Sequence, residues 1–345
     1  MVVLIDILHP AHVHFFRPVI NKLRENNFTV HVTARKKEMS IDLLNRYKIP
    51  CVMISKQKNG IGLIYEMFCR TIKLIVICLK RRPKILLGIM GPSIAVAGFI
   101  LRIPVWVYYD TENAWITNWF SYPLANRVYT PECYKGKVGK NQVRYSGYHE
   151  LSYLHPSVFK PDRSVIEKYG INTKKPYSIL RFVSWQASHD IGEIGISCEN
   201  KLKLVSHLKK FGSLFITSES PLPDVLQKYQ SPVAIEEIHQ LIAFARVVVG
   251  ESATMSSEAA VLGVPAIFIS DTLRGYTVEE ENFYHLVYNL SRNEILEALN
   301  IISEIFLNPE KRDVFRRNHA RLLKEKINIT NFIYAEIVSF FNRTV

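Results

Sequence analysis

Three histidines lie within six residues near the start of the chain, at His9, His12 and His14. They follow residues 2–7, an apolar run that is typical of a buried β-strand. Imidazole titrates near neutral pH, so a histidine at the end of a strand can take a proton from an attacking hydroxyl or contact a phosphate. A single buried histidine is usually structural, but three together favour chemistry. We therefore predict that His12 or His14 is a general base, and the spacing leaves open which one.

Two carboxylates, Asp110 and Glu112, follow a later apolar run. They could serve as acid, base or contacts for an acceptor molecule. Asp and Thr also cap helices well, so helix N-capping is an equally good interpretation. Residues 88–93, which precede that apolar run, form a small-residue turn that could line an acceptor site.

A further turn of small residues precedes a predicted helix at residues 254–262. Gly250 and Ser252 would let a ligand approach the backbone, and the helix that begins at Thr254 would offer unpaired N–H groups and a favourable dipole to phosphate. One turn later, Glu258 could accept two hydrogen bonds from the vicinal diol of a ribose. The competing interpretation is an ordinary turn followed by a solvent-facing glutamate.

Four more residues complete the predicted nucleotide site. Arg181 and Ser184 follow an apolar run, so the guanidinium could pair with phosphate oxygens and the hydroxyl could donate a hydrogen bond. Arg181 could instead form an ion pair between domains. A segment around His239 could hold the base of a nucleotide, and Ser257 lies in the same predicted helix as Glu258.

The chain carries 44 Lys and Arg residues against 31 Asp and Glu, and its net charge of +13 predicts an anionic partner. It contains no helix-turn-helix, zinc-finger or RNA-recognition motif, and its basic clusters are not interleaved with aromatic residues, so we do not expect nucleic acid. The five cysteines are odd in number and form no Cys-x-x-Cys pair, which indicates reduced thiols and no metal site.

Residues 62–82 combine an apolar stripe with a basic end, as in a helix that lies on an anionic bilayer. A long helix packed on a sheet is the alternative. No segment offers the roughly 20 clean apolar residues of a membrane span, and the apolar N-terminal run is too short for a signal peptide. We therefore expect a cytoplasmic protein, and peripheral binding to the inner face of the cell membrane stays open.

Apolar runs of strand length alternate with helical patterns, which favours parallel sheets with helices on both faces. The predicted strands are residues 2–7, 28–34, 51–54, 85–88, 105–109, 127–130, 143–145, 177–183, 213–217, 247–249 and 266–269. A helix is predicted at residues 14–26, after the first strand and a loop. We predict an α/β protein with two Rossmann-like doubly wound domains, residues 1–155 and 156–330, that face a central cleft. A last helix at residues 331–345 is expected to pack back on the first domain.

Several strings of the sequence resemble a known family, the one catalogued as domain of unknown function 354. They are Asp6-Ile-Leu-His-Pro-Ala-His-Val-His-Phe-Phe16, Tyr109-Asp-Thr-Glu-Asn-Ala114, Tyr129-Thr-Pro-Glu-Cys133, Tyr145-Ser-Gly-Tyr-His-Glu-Leu151, Arg181-Phe-Val-Ser-Trp185, Ala187-Ser-His-Asp190 and Gly250-Glu-Ser-Ala-Thr-Met-Ser-Ser-Glu-Ala-Ala260. The resemblance spans nearly the full length, and the family's members are similar to GT-B glycosyltransferases and nucleotide-sugar 2-epimerases. It implies the GT-B fold, a ribose held by Glu258 and a histidine after the first strand that acts as base.

By analogy with that wider group, we predict a nucleotide-sugar-dependent glycosyltransferase with a UDP-sugar donor and no metal or other cofactor. We expect the acceptor to be a glycan or lipid-linked hydroxyl used in the synthesis of surface glycans or glycoconjugates. A nucleotide-sugar 2-epimerase is the first alternative. Asp110 and Glu112 fit it, whereas the turn at residues 88–93 lacks the acidic residue that such enzymes usually carry. A non-catalytic nucleotide-sugar-binding protein is the second alternative.

Overall fold

The computed structural model describes residues 1–37, 39–58, 62–112, 115–183 and 195–343, and for residues 115–117 it describes the backbone alone. The chain divides into two compact units. The first unit comprises Met1–Tyr153 together with Ile327–Val345, and the second comprises Leu154–Lys326.

Seven parallel strands form the sheet of the first unit. They are β1 (Val2–Ile7), β2 (Thr29–Lys36), β3 (Val52–Lys56), β4 (Ile85–Ile89), β5 (Val105–Tyr108), β6 (Arg127–Pro131) and β7 (Gln142–Tyr145). Their order across the sheet is β3-β2-β1-β4-β5-β6-β7. Strands β4 and β5 are buried along their whole length, as expected for continuous apolar runs in a sheet covered on both faces. The strand order reverses between β1 and β4. The residues that follow β1, β4 and β5 therefore lie side by side at the carboxyl ends of these strands.

Helices lie between these strands. They are α1 (Pro10–Glu25), α2 (Ser40–Arg46), α3 (Gly62–Arg81), α4 (Pro92–Leu101) and α5 (Trp115–Leu124), and a short 3-10 helix, His149–Ser152, follows β7. Helix α1 begins four residues before its predicted start at residue 14. His9 caps it, because its Nδ1 accepts the Ala11 N–H at 3.2 Å and Pro10 takes the first helical position. The loop predicted after β1 is therefore limited to residues 8 and 9, and His12 lies inside the helix.

Five parallel strands form the sheet of the second unit. They are β8 (Tyr177–Phe182), β9 (Ser213–Ser218), β10 (Val247–Gly250), β11 (Ala266–Ile269) and β12 (Val287–Leu290), in the order β12-β11-β10-β8-β9. The sequence did not indicate β12, which lies at the sheet edge. Only its first residue, Val287, is buried, so it lacks the continuous apolar run of a central strand.

Helices α6 to α13 connect and follow these strands. Their bounds are α6 (Arg163–Glu167), α7 (Cys198–Leu208), α8 (Asp224–Gln227), α9 (Ile238–Ala243), α10 (Ala253–Val261), α11 (Gly275–Asn282), α12 (Ile295–Leu307) and α13 (Pro309–Glu325). Helix α10 follows directly on β10, so its N-terminus lies at the carboxyl end of a central strand of the sheet.

The last helix, α14 (Ile329–Arg343), belongs to the first unit. Its Phe340 ring lies 5.6 Å from the ring of Trp106 in β5, and its Glu336 accepts a hydrogen bond from Tyr129 in β6 at 2.9 Å. The chain leaves the second unit at Lys326, four residues before the predicted domain end at residue 330.

Helix α3 is 20 residues long, but it buries two charged side chains, Glu66 and Arg70. Glu66 accepts two hydrogen bonds from Arg35 of β2, at 2.7 and 2.8 Å. Across the described residues, no helix has both the length and the apolar character needed to cross a membrane.

Candidate functional site

A buried ion pair lies at the carboxyl end of β1. Asp6 pairs through Oδ1 with the guanidinium of Arg70, and the same oxygen accepts the Thr33 hydroxyl at 2.6 Å. The other carboxylate oxygen, Oδ2, is buried and finds no hydrogen-bond partner within the described part of the chain. Sequence reasoning missed this pair. Its signal in the sequence is Asp6, the one charged residue in the apolar run at residues 2–7.

His12 lies in the first turn of α1 and is buried. Its Nδ1 accepts the backbone N–H of Leu8 at 3.2 Å, so the neutral ring carries its hydrogen on Nε2. Burial lowers the pKa of His12 to about 3; the charges of His149, Lys37 and Arg70 add to this effect, and Asp110 opposes it. At neutral pH the ring is therefore uncharged, and its Nε2 is a hydrogen-bond donor.

Asp110 follows β5 and pairs with a histidine that we did not predict as a site residue. Its Oδ2 lies 2.9 Å from Nδ1 of His149, in the 3-10 helix. Burial would raise the pKa of Asp110, but the charge and hydrogen bond of His149, together with a hydrogen bond from Thr111, hold that pKa below its ordinary value. Nε2 of His149 is buried and has no hydrogen-bond partner among the described residues. We call His12, Asp110 and His149 the His12 cluster.

The other two predicted catalytic residues, His14 and Glu112, make different contacts. His14 is two residues from His12 on α1, so the two rings leave the helix in different directions. The His14 ring packs 5.5 Å from the ring of Tyr153 and 5.9 Å from that of Tyr47. Glu112 accepts the backbone N–H of Lys135 at 3.3 Å. Asp110 and His149 thus interact electrostatically with His12, whereas His14 packs on two tyrosine rings and Glu112 contacts the backbone of Lys135.

In the second unit, Gly250 ends β10 in a conformation that requires glycine. Its φ is +150°, and a Cβ at this position would lie 2.1 Å from the carbonyl oxygen of Arg181 in β8. Ser252 then caps α10, because its Oγ accepts the Met255 N–H at 3.2 Å. Thr254 is half-buried in the first turn of the helix. A tight strand-to-helix turn with exposed backbone N–H groups is well suited to bind phosphate.

Glu258 and His239 form a buried pair beside this turn. His239 of α9 lies with Nε2 2.8 Å from Oε1 of Glu258, and the residues are 4% and 6% exposed. The interpretation of Glu258 as an ordinary solvent-facing glutamate was therefore wrong. An ionised carboxylate has about four lone-pair positions, so it can accept hydrogen bonds from a ligand as well as from His239.

The other predicted nucleotide contacts have partners inside the unit or are not described. Arg181 donates to Oε1 of Glu219 at 2.6 Å, an ion pair within the second unit rather than between domains. Ser257 is fully buried, and its hydroxyl donates to Oε1 of Glu280 at 2.5 Å. Burial raises the pKa of Glu280 to about 8. Ser184 lies outside the described residues.

Glu251 is a site residue that sequence reasoning missed. Its buried carboxylate accepts two backbone N–H groups, from Val183 at 3.0 Å and from Ile196 at 2.5 Å. It therefore ties the carboxyl end of β8 to the chain before α7, next to the Gly250 turn. Its position directly after the glycine at the end of a predicted strand was the available signal.

No group of three His, Cys, Asp or Glu side chains within the described ranges is arranged to hold a metal ion.

Comparison with known proteins identifies relatives over the whole chain. The model of a family described as "Protein of unknown function (DUF354)" matches residues 1–329. An uncharacterized protein of Methanocaldococcus jannaschii, MJ0665, is 24% identical over 316 residues, which are 87% of this chain and 90% of that relative.

Two solved structures show the relation of the fold to known proteins. The UDP-GlcNAc 2-epimerase of Neisseria meningitidis, solved with UDP-GlcNAc bound, has a TM-score of 0.69 at 14% identity and covers 98% of this chain and 99% of its own. The spinosyn rhamnosyltransferase SpnG, solved with spinosyn aglycone, has a TM-score of 0.63 at 10% identity. The match covers 97% of this chain and 99% of SpnG. The predicted fold class, α/β with two Rossmann-like domains of the GT-B type, is confirmed.

Proposed function

This chain belongs to the family described as "Protein of unknown function (DUF354)". From this premise we propose that it is a nucleotide-sugar-dependent glycosyltransferase. The observation that carries the proposal is the pair of Glu258 and His239, which holds a buried carboxylate on α10, the helix whose N-terminus Ser252 caps. A carboxylate after such a strand-to-helix turn is suited to accept both hydroxyls of a ribose. We take a UDP-sugar as donor, because the Neisseria meningitidis epimerase of the same fold was solved with UDP-GlcNAc.

In this proposal the second unit binds the diphosphate at the N-terminus of α10. Gly250 gives the phosphates room to approach the backbone, and the helix dipole with the N–H groups near Thr254 stabilises negative charge. Arg181 exchanges the carboxylate of Glu219 for a phosphate oxygen, and Ser184 donates a further hydrogen bond. These groups stabilise the departing diphosphate, so the proposed reaction uses no metal ion.

The first unit supplies the proton transfer. Asp110 is ionised at neutral pH and is held by His149, so we assign it as the base that takes the proton of the acceptor hydroxyl. The hydroxyl oxygen bonds to the anomeric carbon, and the bond from that carbon to the diphosphate breaks with its electron pair on the diphosphate. His12 is neutral with a hydrogen on Nε2, so it acts as a donor to a substrate oxygen rather than as the base.

The acceptor in this proposal is a glycan or lipid-linked hydroxyl, and the product is a surface glycan or glycoconjugate. The experiment is to incubate the protein with UDP-sugars, with and without glycan and lipid-linked acceptors, and to separate the products by mass. We expect release of UDP and a glycosylated acceptor only when an acceptor is present. Turnover that is independent of any acceptor would contradict the proposal.

A second candidate is a nucleotide-sugar 2-epimerase. The observation that favours it is the His12 cluster, in which an ionised carboxylate beside two imidazoles could move protons on a bound sugar without any acceptor. The turn at residues 88–93 carries no carboxylate, which favours the transferase. Appearance of the 2-epimer of UDP-GlcNAc in the incubation without acceptor would establish the epimerase. Nucleotide-sugar binding without any turnover would establish the binding protein instead.

A further inference from the structure

The outer face of α3 is apolar and exposed. Five of its side chains recur at intervals of three or four residues and therefore share one face of the helix. They are Ile64, Phe68, Ile72, Val76 and Leu79, with exposed fractions of 67%, 63%, 46%, 58% and 62%. The opposite face buries Glu66 and Arg70 through pairs with Arg35 and Asp6. Packing on a sheet explains the buried face of this helix but not the apolar character of the exposed one.

The exposed apolar residues continue over the two neighbouring helices. Helix α3 packs beside α4, and α4 packs beside α5. At the end of α4, Phe99 and Ile100 are 66% and 57% exposed, and Trp119 of α5 is 82% exposed. We call these three residues and the five of α3 the α3–α5 surface. Monomeric proteins seldom expose so many large apolar side chains together unless the surface meets a partner.

A basic groove of about 450 Å³ lies at one end of this surface, where α3 and α4 end. Its charged lining residues are Arg82, Lys84 and Arg102, and among the described residues that line it none is acidic. Leu79 of the α3–α5 surface also lines the groove, so the apolar and basic areas are continuous. Lys80 and Arg81 are exposed just before it.

The backbone at two of these arginines is unusual. Arg82 has a φ of +50° and Arg102 a φ of +56°, and each follows the last residue of a helix. Glycine or asparagine is favoured at such positions, because a larger side chain is strained in the left-handed conformation. Both arginines therefore lie directly after the last turns of α3 and α4, where these helices border the groove.

We infer that the first unit docks on an anionic lipid bilayer through the α3–α5 surface, and that Arg82, Lys84 and Arg102 bind lipid phosphates in the groove. An apolar area beside a cluster of basic side chains matches the acyl boundary and the headgroups of such a bilayer. A second copy of this chain fits less well, because it would bring another net charge of +13 to a basic surface. This inference is independent of the proposed reaction.

The test is co-sedimentation of the full chain with vesicles of phosphatidylcholine alone, or of equal parts phosphatidylcholine and phosphatidylglycerol. We expect binding to the anionic vesicles only, and weaker binding as salt is raised. The variant Arg82→Asn/Arg102→Asn removes two charges, and asparagine tolerates the left-handed conformation. This variant should lower the partition coefficient roughly 30-fold. The control Arg316→Gln/Arg317→Gln removes the same charge from exposed positions on α13 and should bind as the parent does.

A second variant tests the apolar part of the surface. Phe68→Gln/Val76→Gln changes two exposed apolar side chains. It should weaken binding to the anionic vesicles by a factor that does not depend on the salt concentration. Failure of the parent chain to bind anionic vesicles would overturn the inference, as would equal loss in the α13 control. A dimer in sedimentation equilibrium that the Phe68→Gln/Val76→Gln variant abolishes would assign the surface to a second copy and also overturn it.

Discussion

His12 and His14 lie two residues apart on one helix, yet their surroundings give them different chemistry. Nδ1 of His12 accepts a hydrogen bond from the Leu8 N–H, whereas the His14 ring packs against Tyr47 and Tyr153. The sequence predicted that one histidine would be the base, and it could not choose between them because the choice depends on contacts with distant segments. Asp110 was predicted as a site residue, but its partner His149 was not, since 39 positions separate them in the sequence.

The buried neutral state of His12 predicts a pH dependence of stability. In the unfolded chain its imidazole takes up a proton below pH 6.5, whereas in the folded protein the pKa is about 3. The contribution to stability is therefore complete above pH 6.5 and is lost as the pH falls from 6.5 toward 3. In urea unfolding between pH 6 and pH 4, the wild type should lose up to about 1.4 kcal/mol per pH unit more than His12→Gln.

The exposed substitution His285→Gln serves as the control for this measurement. Its unfolding free energy should follow the wild-type pH dependence. Parallel curves for the wild type and His12→Gln would show that His12 is not held neutral by the fold.

The assignment of the base predicts that the two carboxylates after β5 differ in their effect on turnover. Asp110→Asn should lower kcat by about 100-fold or more, because it removes the proton acceptor, and it should leave nucleotide affinity unchanged. Glu112→Gln is the matched control, since Glu112 contacts the backbone of Lys135 rather than the His12 cluster. The measurement is steady-state release of UDP. Equal losses in the two variants would contradict the assignment of Asp110.

At the scale of single elements, the central strands were predicted more completely than the edge strand β12, the start of α1 and the buried face of α3. Central strands such as β4, β5 and β11 are continuous apolar runs, because both of their faces are covered. The edge strand β12 has no such run, and the start of α1 depends on a histidine cap that propensities do not indicate. For α3, periodicity showed which residues share a face. It could not show that the face with Glu66 is buried, because that depends on pairing with Arg35 in another element.

The turn from β10 into α10 predicts a specific requirement for glycine. Gly250→Ala should destabilise the second unit by about 1–3 kcal/mol, since its Cβ would meet the Arg181 carbonyl oxygen at 2.1 Å. Gly170→Ala is the control, because Gly170 also has a positive φ, +75°, but has no atom within 4 Å of the added Cβ. Urea unfolding of both variants separates backbone strain from the steric contact. Equal costs would show that the close approach of β8 and β10 is unimportant.

At the scale of the whole molecule, the fold alone does not decide the function. The same two-domain fold occurs in a 2-epimerase that was solved with UDP-GlcNAc and in a rhamnosyltransferase that was solved with its aglycone. Because one fold carries two different reactions, the reaction of this chain depends on its residues and does not follow from the fold. The net charge of +13 predicts an anionic partner, and the proposal that this partner is a bilayer rests on the exposed apolar side chains of α3, α4 and α5.

The proposed function requires above all that the second unit binds the nucleotide through Glu258. The most direct measurement is calorimetric titration of the full chain with UDP, GDP and CMP, repeated on Glu258→Gln. Glu304→Gln is the control, because it neutralises a carboxylate of the same unit that pairs with Lys311. We expect that UDP binds, that Glu258→Gln weakens UDP binding by about 10- to 100-fold, and that Glu304→Gln has no effect. Absence of nucleotide binding, or unchanged affinity in Glu258→Gln, would contradict the proposed role of Glu258.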